Sequence, residues 1–241
     1  MKTRLYILSI LFAASAPACQ AHIFSPPARI NVLESSATLK EGQQAAGVAG
    51  GGTGAMFGLS ATALAGTYKR GLTDEVEVGI DGTFVAIDEA HAVADLDPYI
   101  LGGRVRAKWA PEKTKSYAAV TAGLGAGYSF DGGGYVSPDV GLIFAFENRY
   151  FVPFFGVSAF ISQPIASKVV DLSRDDQDLG TKLQSPQFTW GGYLNAGFKV
   201  PVAIGQGAIL NLYAEMHYLY LDDGDEDEFA SGIMAGPELV F

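Results

Sequence analysis

Residues 230–241 read ASGIMAGPELVF, and this stretch ends on an aromatic side chain. Apolar residues occupy every second position on one face, which holds Ile233, Ala235, Pro237, Leu239 and Phe241. A period of two predicts a β-strand with one apolar side. An unpaired last strand exposes backbone groups that invite aggregation, and a closed barrel removes that edge by pairing the last strand with the first. The stretch therefore predicts a closed β-barrel, with a soluble β-sandwich as the alternative.

The terminal aromatic residue Phe241 and the apolar residue Leu239 before it also carry a family resemblance. This ending resembles the last strand of bacterial outer-membrane β-barrel proteins. The resemblance implies that Phe241 and Leu239 form the signal that the barrel-assembly machinery recognises. It also implies that outer-membrane lipid and lipopolysaccharide surround the folded chain.

The composition of the chain narrows its class. Of 241 residues, 30 are glycine, 12% are aromatic and 17% are charged, which is too apolar and too rich in glycine for an ordinary helical enzyme domain. The net charge of −10 argues against nucleic acid as a partner, because such a protein neutralises phosphates with clustered Lys and Arg. Beyond the N-terminal segment no apolar run reaches the ~18 residues that a spanning helix needs. We therefore expect any membrane-bound form to be a barrel.

The first 21 residues have the pattern of a secretory signal peptide. Lys2 and Arg4 precede an apolar run over 5–14, and the small-residue stretch SAPACQA follows at 15–21. Cleavage after Ala18 and cleavage after Ala21 both fit. The single cysteine, Cys19, resembles the lipid-acceptor cysteine of bacterial lipoproteins, and the alternative is that it is discarded with the signal peptide.

Residues 22–39 contain prolines and serines without periodicity and predict a periplasmic leader or linker, whereas residues 40–241 predict the barrel. The barrel region alternates between apolar and polar positions in about ten strands, with eight or twelve as fallbacks. We predict the strands at 43–54, 59–70, 75–87, 98–109, 117–130, 135–146 and 150–163, then around 187–199, 210–220 and 230–241.

Short and long connections between the predicted strands alternate along most of the chain. Transmembrane barrels have short periplasmic turns and longer outer loops, so this asymmetry predicts periplasmic termini. The acidic stretches 171–178 and 222–228 are then extracellular. They are either solvated loops or weak sites for divalent cations that bridge to lipopolysaccharide. Since 222–228 lacks the EF-hand spacing and the single cysteine rules out a thiolate cluster, we expect no metal site or cofactor.

Opposite charges face each other across the third and fourth predicted strands. A hairpin centred near residues 92–93 brings Asp81 close to Arg104 or Arg106, and Glu77 close to Lys108, all on the inward face. Buried charges have to be paired, so the favoured interpretation is a structural ladder in the lumen. The alternative is a charge filter in a small pore.

Glu215 and His217 share the inward face of the ninth predicted strand. A carboxylate beside an imidazole is a pattern of acid–base hydrolases, and outer-membrane proteases with ten strands offer a precedent by analogy. The favoured function is nevertheless a non-enzymatic envelope component or small pore with a charge-paired lumen. An outer-membrane protease or lipid-modifying hydrolase using these two residues is the alternative.

Overall fold

The computed structural model describes residues 24–29, 31–56, 59–87, 99–130, 132–171, 183–205, 207–225 and 227–241. Within these ranges the secondary structure is β-strand. The strands are β1 Gln44–Met56, β2 Leu59–Gly71, β3 Val76–Ile87, β4 Tyr99–Trp109, β5 Ala118–Ser129, β6 Gly133–Ala145, β7 Val152–Ser167, β8 Val170–Asp171, β9 Leu183–Gln184, β10 Thr189–Ile204, β11 Ala208–Asp222 and β12 Asp227–Val240. In this part of the chain no helix is long and apolar enough to cross a membrane.

Ten of the described strands form a closed antiparallel barrel, and β8 pairs with β9 in a separate two-stranded sheet. Each barrel strand pairs with its neighbours in the chain, and β1 pairs with β12 to close the sheet. Gln44 and Phe241 exchange two backbone hydrogen bonds of 2.9 Å beside this seam. The predicted all-β, up-and-down barrel of about ten strands is therefore confirmed.

The barrel has two different ends. At one end the connections 72–75, 110–117, 146–151 and 205–207 are short, and we call this the turn end. At the other, the loop end, residues 88–98 join β3 to β4 and residues 168–188 join β7 to β10, and these connections are longer. The acidic connection at this end is shorter than predicted, because Asp222 at the end of β11 pairs with Asp227 at the start of β12. The acidic stretch at 171–178 lies outside the described residues except for Asp171.

Strand alternation divides inward from outward side chains as the sequence predicts. On β12, Val240 is buried in the interior, whereas Leu239 is 38% exposed and the adjacent Phe241 is 52% exposed on the outside. The outer surface carries an apolar belt that includes Leu64, Ile80, Val105, Leu124, Val140, Val157, Leu194, Leu212, Met216 and Ile233. Exposed aromatic side chains flank this belt at the loop end (Tyr99, Tyr128, Phe188, Trp190, Phe229) and at the turn end (Tyr68, Trp109, Phe144, Phe151, Phe198, Phe241).

Residues 24–29 and 31–39, the lumenal segment, lie inside the barrel. The prediction that 22–39 forms a periplasmic leader is therefore wrong for these residues, of which 24–29 and 31–36 are buried. Eight strands make an interior that side chains just fill, so ten strands leave additional space. The segment occupies this space. Nothing in its own sequence predicts burial, because the groups that surround it come from strands far away in the chain.

The close approach of β1 and β12 predicts a sensitive position. A Cβ atom on Gly236 would lie 2.0 Å from the Val48 carbonyl oxygen, whereas one on Gly82 would meet nothing within 4 Å. We expect Gly236→Ala to lower the free energy of unfolding by about 1–3 kcal/mol, because backbone has to shift. Gly82→Ala is the matched control and should leave it nearly unchanged. Urea unfolding followed by heat-modifiable gel migration measures both, and equal stability of the two variants would contradict this packing.

Candidate functional site

The charge ladder between β3 and β4 has the predicted register. Glu77 lies opposite Lys108, and Asp81 lies opposite Arg104. The Arg104 Nη1 atom is 2.8 Å from Asp81 Oδ2, and Lys108 Nζ is 3.4 Å from Glu77 Oε1. Arg104, Arg106 and Lys108 are all buried in the lumen, as the inward face of β4 requires. The structure thus brings the five predicted lumen charges together.

Asp139 on β6 completes the site around Arg104 and was not predicted. Its carboxylate accepts from Arg104 Nε at 2.6 Å and from Nη2 at 2.7 Å, which is a bidentate pair. The guanidinium can reach across β5 because Gly123 has no side chain. A Cβ atom at this position would lie only 2.2 Å from Arg104 Nε. Alternation places Asp139 on an inward face. Only the tertiary structure shows that Asp139 pairs with Arg104, which lies two strands away on β4.

Glu34 of the lumenal segment is a second carboxylate that the sequence did not assign. Glu34 Oε1 is 2.8 Å from Arg106 Nη1, and Oε2 is 3.9 Å from Lys108 Nζ. Arg106 also lies within 3.3 Å of Asp81 Oδ1 and 3.4 Å of Glu77 Oε1. The lumenal segment therefore supplies one of the three carboxylates around a fully enclosed guanidinium.

Arg29 brings a cation from the same segment to β6 and β7. Its Nη2 atom is 3.5 Å from Asp139 Oδ1 and 3.2 Å from Ser158 Oγ. The Tyr193 hydroxyl donates a hydrogen bond to the Arg29 carbonyl oxygen. The neighbouring residue Ala28 packs against β5 where a Cβ on Gly125 would fall 2.1 Å from the Ala28 Cβ. Because Gly123 and Gly125 have no side chains, the inward face of β5 leaves room for the segment.

Glu215 binds the backbone of the lumenal segment. Its carboxylate accepts hydrogen bonds from the amides of Val32 at 2.8 Å and Leu33 at 2.7 Å, and from Asn195 Nδ2 at 3.3 Å. His217 Nδ1 is 3.8 Å from Glu215 Oε1, which is too far for a hydrogen bond. The structure therefore places both residues of the hydrolase alternative in the lumen, without the contact that would orient the imidazole.

Two further ion pairs lie near the turn end. Lys69 on β2 pairs with Glu238 on β12, and Lys199 Nζ on β10 is 2.9 Å from Glu147 Oε2 in the β6–β7 turn. The Ala37 amide donates to the same Glu147 carboxylate at 2.9 Å. Burial tends to raise the pKa of Glu147, but the Lys199 charge and the Ala37 hydrogen bond contribute to lowering it below its ordinary value. This carboxylate is thus held ionised where the segment leaves the lumen.

The space left around the segment differs between the two ends. Beside Ala28, in the half of the barrel near the loop end, a cavity of about 10 Å³ remains, which is room for roughly one water molecule. At the turn end a cavity of about 490 Å³ lies between Leu39, Lys69, Lys108, Lys199 and Glu238, among others. The cavity beside Ala28 is therefore small, whereas the cavity at the turn end forms a vestibule.

Other predicted site residues are placed as follows. Leu239 and Phe241 lie on the outer surface at the turn end, and Cys19 lies outside the described residues. In the part of the chain that the structure describes, no three His, Cys, Asp or Glu side chains are grouped so that they would hold a metal ion.

The cluster around Arg104 predicts a large effect of neutralising it. We expect Arg104→Met to lower the free energy of unfolding by about 3–5 kcal/mol, because Asp81 and Asp139 lose their shared cation in a low-dielectric interior. Arg70→Met, at an exposed position of β2, is the control and should change it by less than about 0.5 kcal/mol. Urea titration of both variants in lipid vesicles measures the difference. An Arg104→Met barrel as stable as the control would show that the pairs contribute little.

No protein-family model and no curated protein matches this chain. Solved structures do resemble it. The β-domain of the Bordetella autotransporter BrkA aligns at 11% identity and a TM-score of 0.48, covering 84% of this chain and 99% of that one. The Escherichia coli outer-membrane protease OmpT (10%, 0.40) and the Pseudomonas aeruginosa outer-membrane protein OprG (13%, 0.37) each cover 86% of this chain and 99% of their own. The similarity is one of barrel fold, and it assigns no activity to this chain.

Proposed function

We propose that this chain is an integral protein of the bacterial outer membrane, a non-enzymatic envelope component whose own lumenal segment keeps the barrel closed. The observation that carries the proposal is the position of the segment, which runs through the interior and places Arg29 and Glu34 in ion pairs with the wall. In this proposal the barrel is a stable structural protein of the membrane rather than a pore or an enzyme.

The outer surface supports the membrane location. An apolar belt of this kind on a protein in water would promote aggregation, whereas the hydrocarbon core of a bilayer is an apolar surrounding that suits it. Aromatic side chains at both borders of the belt match the girdles that lie at the two interfaces of a bilayer. The N-terminal pattern of a signal peptide at 1–21 agrees with export.

The interior supports a closed barrel over an open pore. Glu77, Asp81, Arg104, Arg106 and Lys108 are all engaged in ion pairs, and the segment adds one more charge of each sign. A selective pore needs charges that face water along a continuous path. The cavity beside Ala28 has a volume of only about 10 Å³, which is room for roughly one water molecule and too little for such a path.

The hydrolase alternative is less well supported. A catalytic carboxylate and imidazole need access to a substrate, but Glu215 is 2% exposed and His217 is 1% exposed. The Glu215 carboxylate already accepts three hydrogen bonds from Val32, Leu33 and Asn195. Its local role in this proposal is to hold the lumenal segment.

The partners in this proposal follow from the outer surface. Lipid contacts the belt, and the assembly machinery binds the outward-facing Phe241 and Leu239 during insertion. The acidic loop at 222–228 contacts lipopolysaccharide through divalent cations, and Cys19 is a lipid attachment site if the signal peptide is cleaved before it. The loop end faces the outside of the cell, and Phe241 faces the periplasm.

Electrical recording tests whether the barrel is closed. Wild-type protein in a planar lipid bilayer should give no steady conductance, whereas a variant lacking residues 24–39 should give stepwise openings because the central space fills with water. A full-length variant, Arg29→Ser with Glu34→Ser, should open intermittently because the segment loses its two ion pairs. Heat-modifiable migration is the control that each variant forms a barrel. Steady wild-type conductance equal to that of the deletion variant would contradict the proposal.

A pair of leucines tests the membrane location directly. Leu124 lies at mid-strand on the outer face of β5 and is 54% exposed, and Leu72 lies in a turn and is 49% exposed. In a bilayer, Leu124→Arg should cost about 2–4 kcal/mol of folding free energy, against about 0–1 kcal/mol for Leu72→Arg near the interface. Urea unfolding in lipid vesicles measures both. The same small loss at both positions would mean that lipid does not surround the belt.

A further inference from the structure

The lumenal segment enters the barrel at the loop end. Phe24 forms a parallel β-bridge with Gln187, the residue two before β10 begins. The Ser25 amide donates to Thr189 Oγ1 at 2.9 Å, and the Ser25 and Ser162 hydroxyls lie 2.9 Å apart. Thr189 begins β10 and Ser162 lies in the last third of β7, so both belong to the half of the wall beside the long connections.

The same segment leaves the barrel at the turn end. Thr38 Oγ1 donates to the Asp74 carbonyl oxygen at 2.7 Å, and Ser36 Oγ donates to the Lys115 carbonyl oxygen at 2.9 Å. Asp74 and Lys115 lie in the turns 72–75 and 110–117. Since β1 begins at Gln44 directly beyond the segment, the chain runs through the lumen from loop end to turn end before it forms the barrel wall.

The wall holds the segment mainly by its backbone. Besides Glu215, which binds two amides, Glu77 accepts from the Leu39 amide at 3.1 Å and Glu147 accepts from the Ala37 amide at 2.9 Å. Lys108 Nζ donates to the Ala37 carbonyl oxygen at 2.7 Å, and Ser162 Oγ donates to the Pro26 carbonyl oxygen at 2.7 Å. These contacts extend along the whole segment, so it is bound along its length rather than at one end.

The two ends of the described chain therefore lie at opposite ends of the barrel. Phe24 is at the loop end, and Phe241 is at the turn end, where it pairs with Gln44. The lumenal polar side chains replace water as hydrogen-bond partners for the backbone of the segment, as Glu215 does for Val32 and Leu33. A segment held in this way cannot slip back without leaving Arg106 short of the Glu34 carboxylate and Asp139 short of Arg29.

We infer that the chain passes through the lumen from the outer face of the cell, at Phe24, to the periplasmic face, at Thr38, so that Phe24 is presented on the surface. The inference rests on the proposed function, which makes the loop end the outer face of the cell. The lumen is then a binding channel for an extended polypeptide, occupied by the protein's own chain. Phe24 is then on the surface of the cell and Phe241 is in the periplasm, in place of the two periplasmic termini that the sequence predicts.

Epitope accessibility on intact cells tests this inference. One hydrophilic epitope is inserted directly before Phe24, at Asp225 near the loop end, or at Thr73 in a turn at the turn end, each in the full chain with Cys19 retained. Asp225 and Thr73 are exposed reference positions. An antibody that cannot enter the cell should bind the epitopes before Phe24 and at Asp225 on intact cells, and the epitope at Thr73 only after permeabilisation.

Two other patterns of epitope accessibility would contradict either the inference or the membrane orientation. An epitope before Phe24 that becomes accessible only together with Thr73, while Asp225 is accessible throughout, overturns the inference and leaves the membrane orientation intact. Accessible Thr73 with the other two positions hidden overturns the orientation in the proposed function but still supports passage through the lumen. Heat-modifiable migration shows whether each inserted chain forms a barrel.

A second measurement avoids any insertion. In a Cys19→Ser chain, Ser25→Cys combined with Ser162→Cys should form a disulfide on mild oxidation, because the two native hydroxyls are 2.9 Å apart. Either cysteine alone is the control and should show no shift in gel migration on oxidation. A folded double variant that keeps both thiols free under oxidation would show that the segment does not lie at the loop end of the lumen, and the inference would be wrong.

Discussion

Arg106 is the group on which the interior of this barrel depends. Its guanidinium is buried, and its carboxylate partners come from two parts of the chain: Glu77 and Asp81 on β3 and Glu34 in the lumenal segment. A buried cation without partners is strongly destabilising, whereas a fully paired one is tolerated and fixes a particular arrangement. Because Glu34 belongs to the lumenal segment, Arg106 has all of its carboxylate partners only when the segment is in place.

The wall of the barrel is shaped to leave room for the lumenal segment. Glycines on β5 leave an open strip through which Arg104 reaches Asp139 and against which Ala28 packs. A strand of ordinary side chains at these positions would fill the same space and exclude the segment. These glycines thus have a structural purpose, since room for a central segment has to be taken from the side chains of the wall.

The arrangement also explains why a narrow polar lumen need not be a channel. Ten strands enclose more space than their inward side chains fill, and an extended segment removes that surplus while its amides and carbonyls are satisfied by the wall. A cavity of about 490 Å³ lies at the turn end, between Lys69, Lys108 and Lys199. This vestibule, together with the far smaller cavity beside Ala28, is consistent with a closed barrel whose two ends differ.

The sequence by itself determined the barrel. Alternation with a period of two is a local property, so it predicted the strands closely, the outward position of Phe241 against the inward position of Val240, and, through the length of one hairpin, the register of Asp81 with Arg104. The inward direction of Glu215 and His217 followed from the same rule. Each of these features depends only on residues that are near one another in the chain.

Only the tertiary structure decided what fills the barrel. The pairing of Arg104 with Asp139 crosses an intervening strand, and the lumenal segment contacts positions far away in the chain, as in the hydrogen bonds from Val32 and Leu33 to Glu215. A proline- and serine-containing stretch without periodicity reads as a linker, because its own residues carry no sign of burial. Burial there is caused by the width of the closed sheet, which is a property of all ten strands together and is absent from any local pattern.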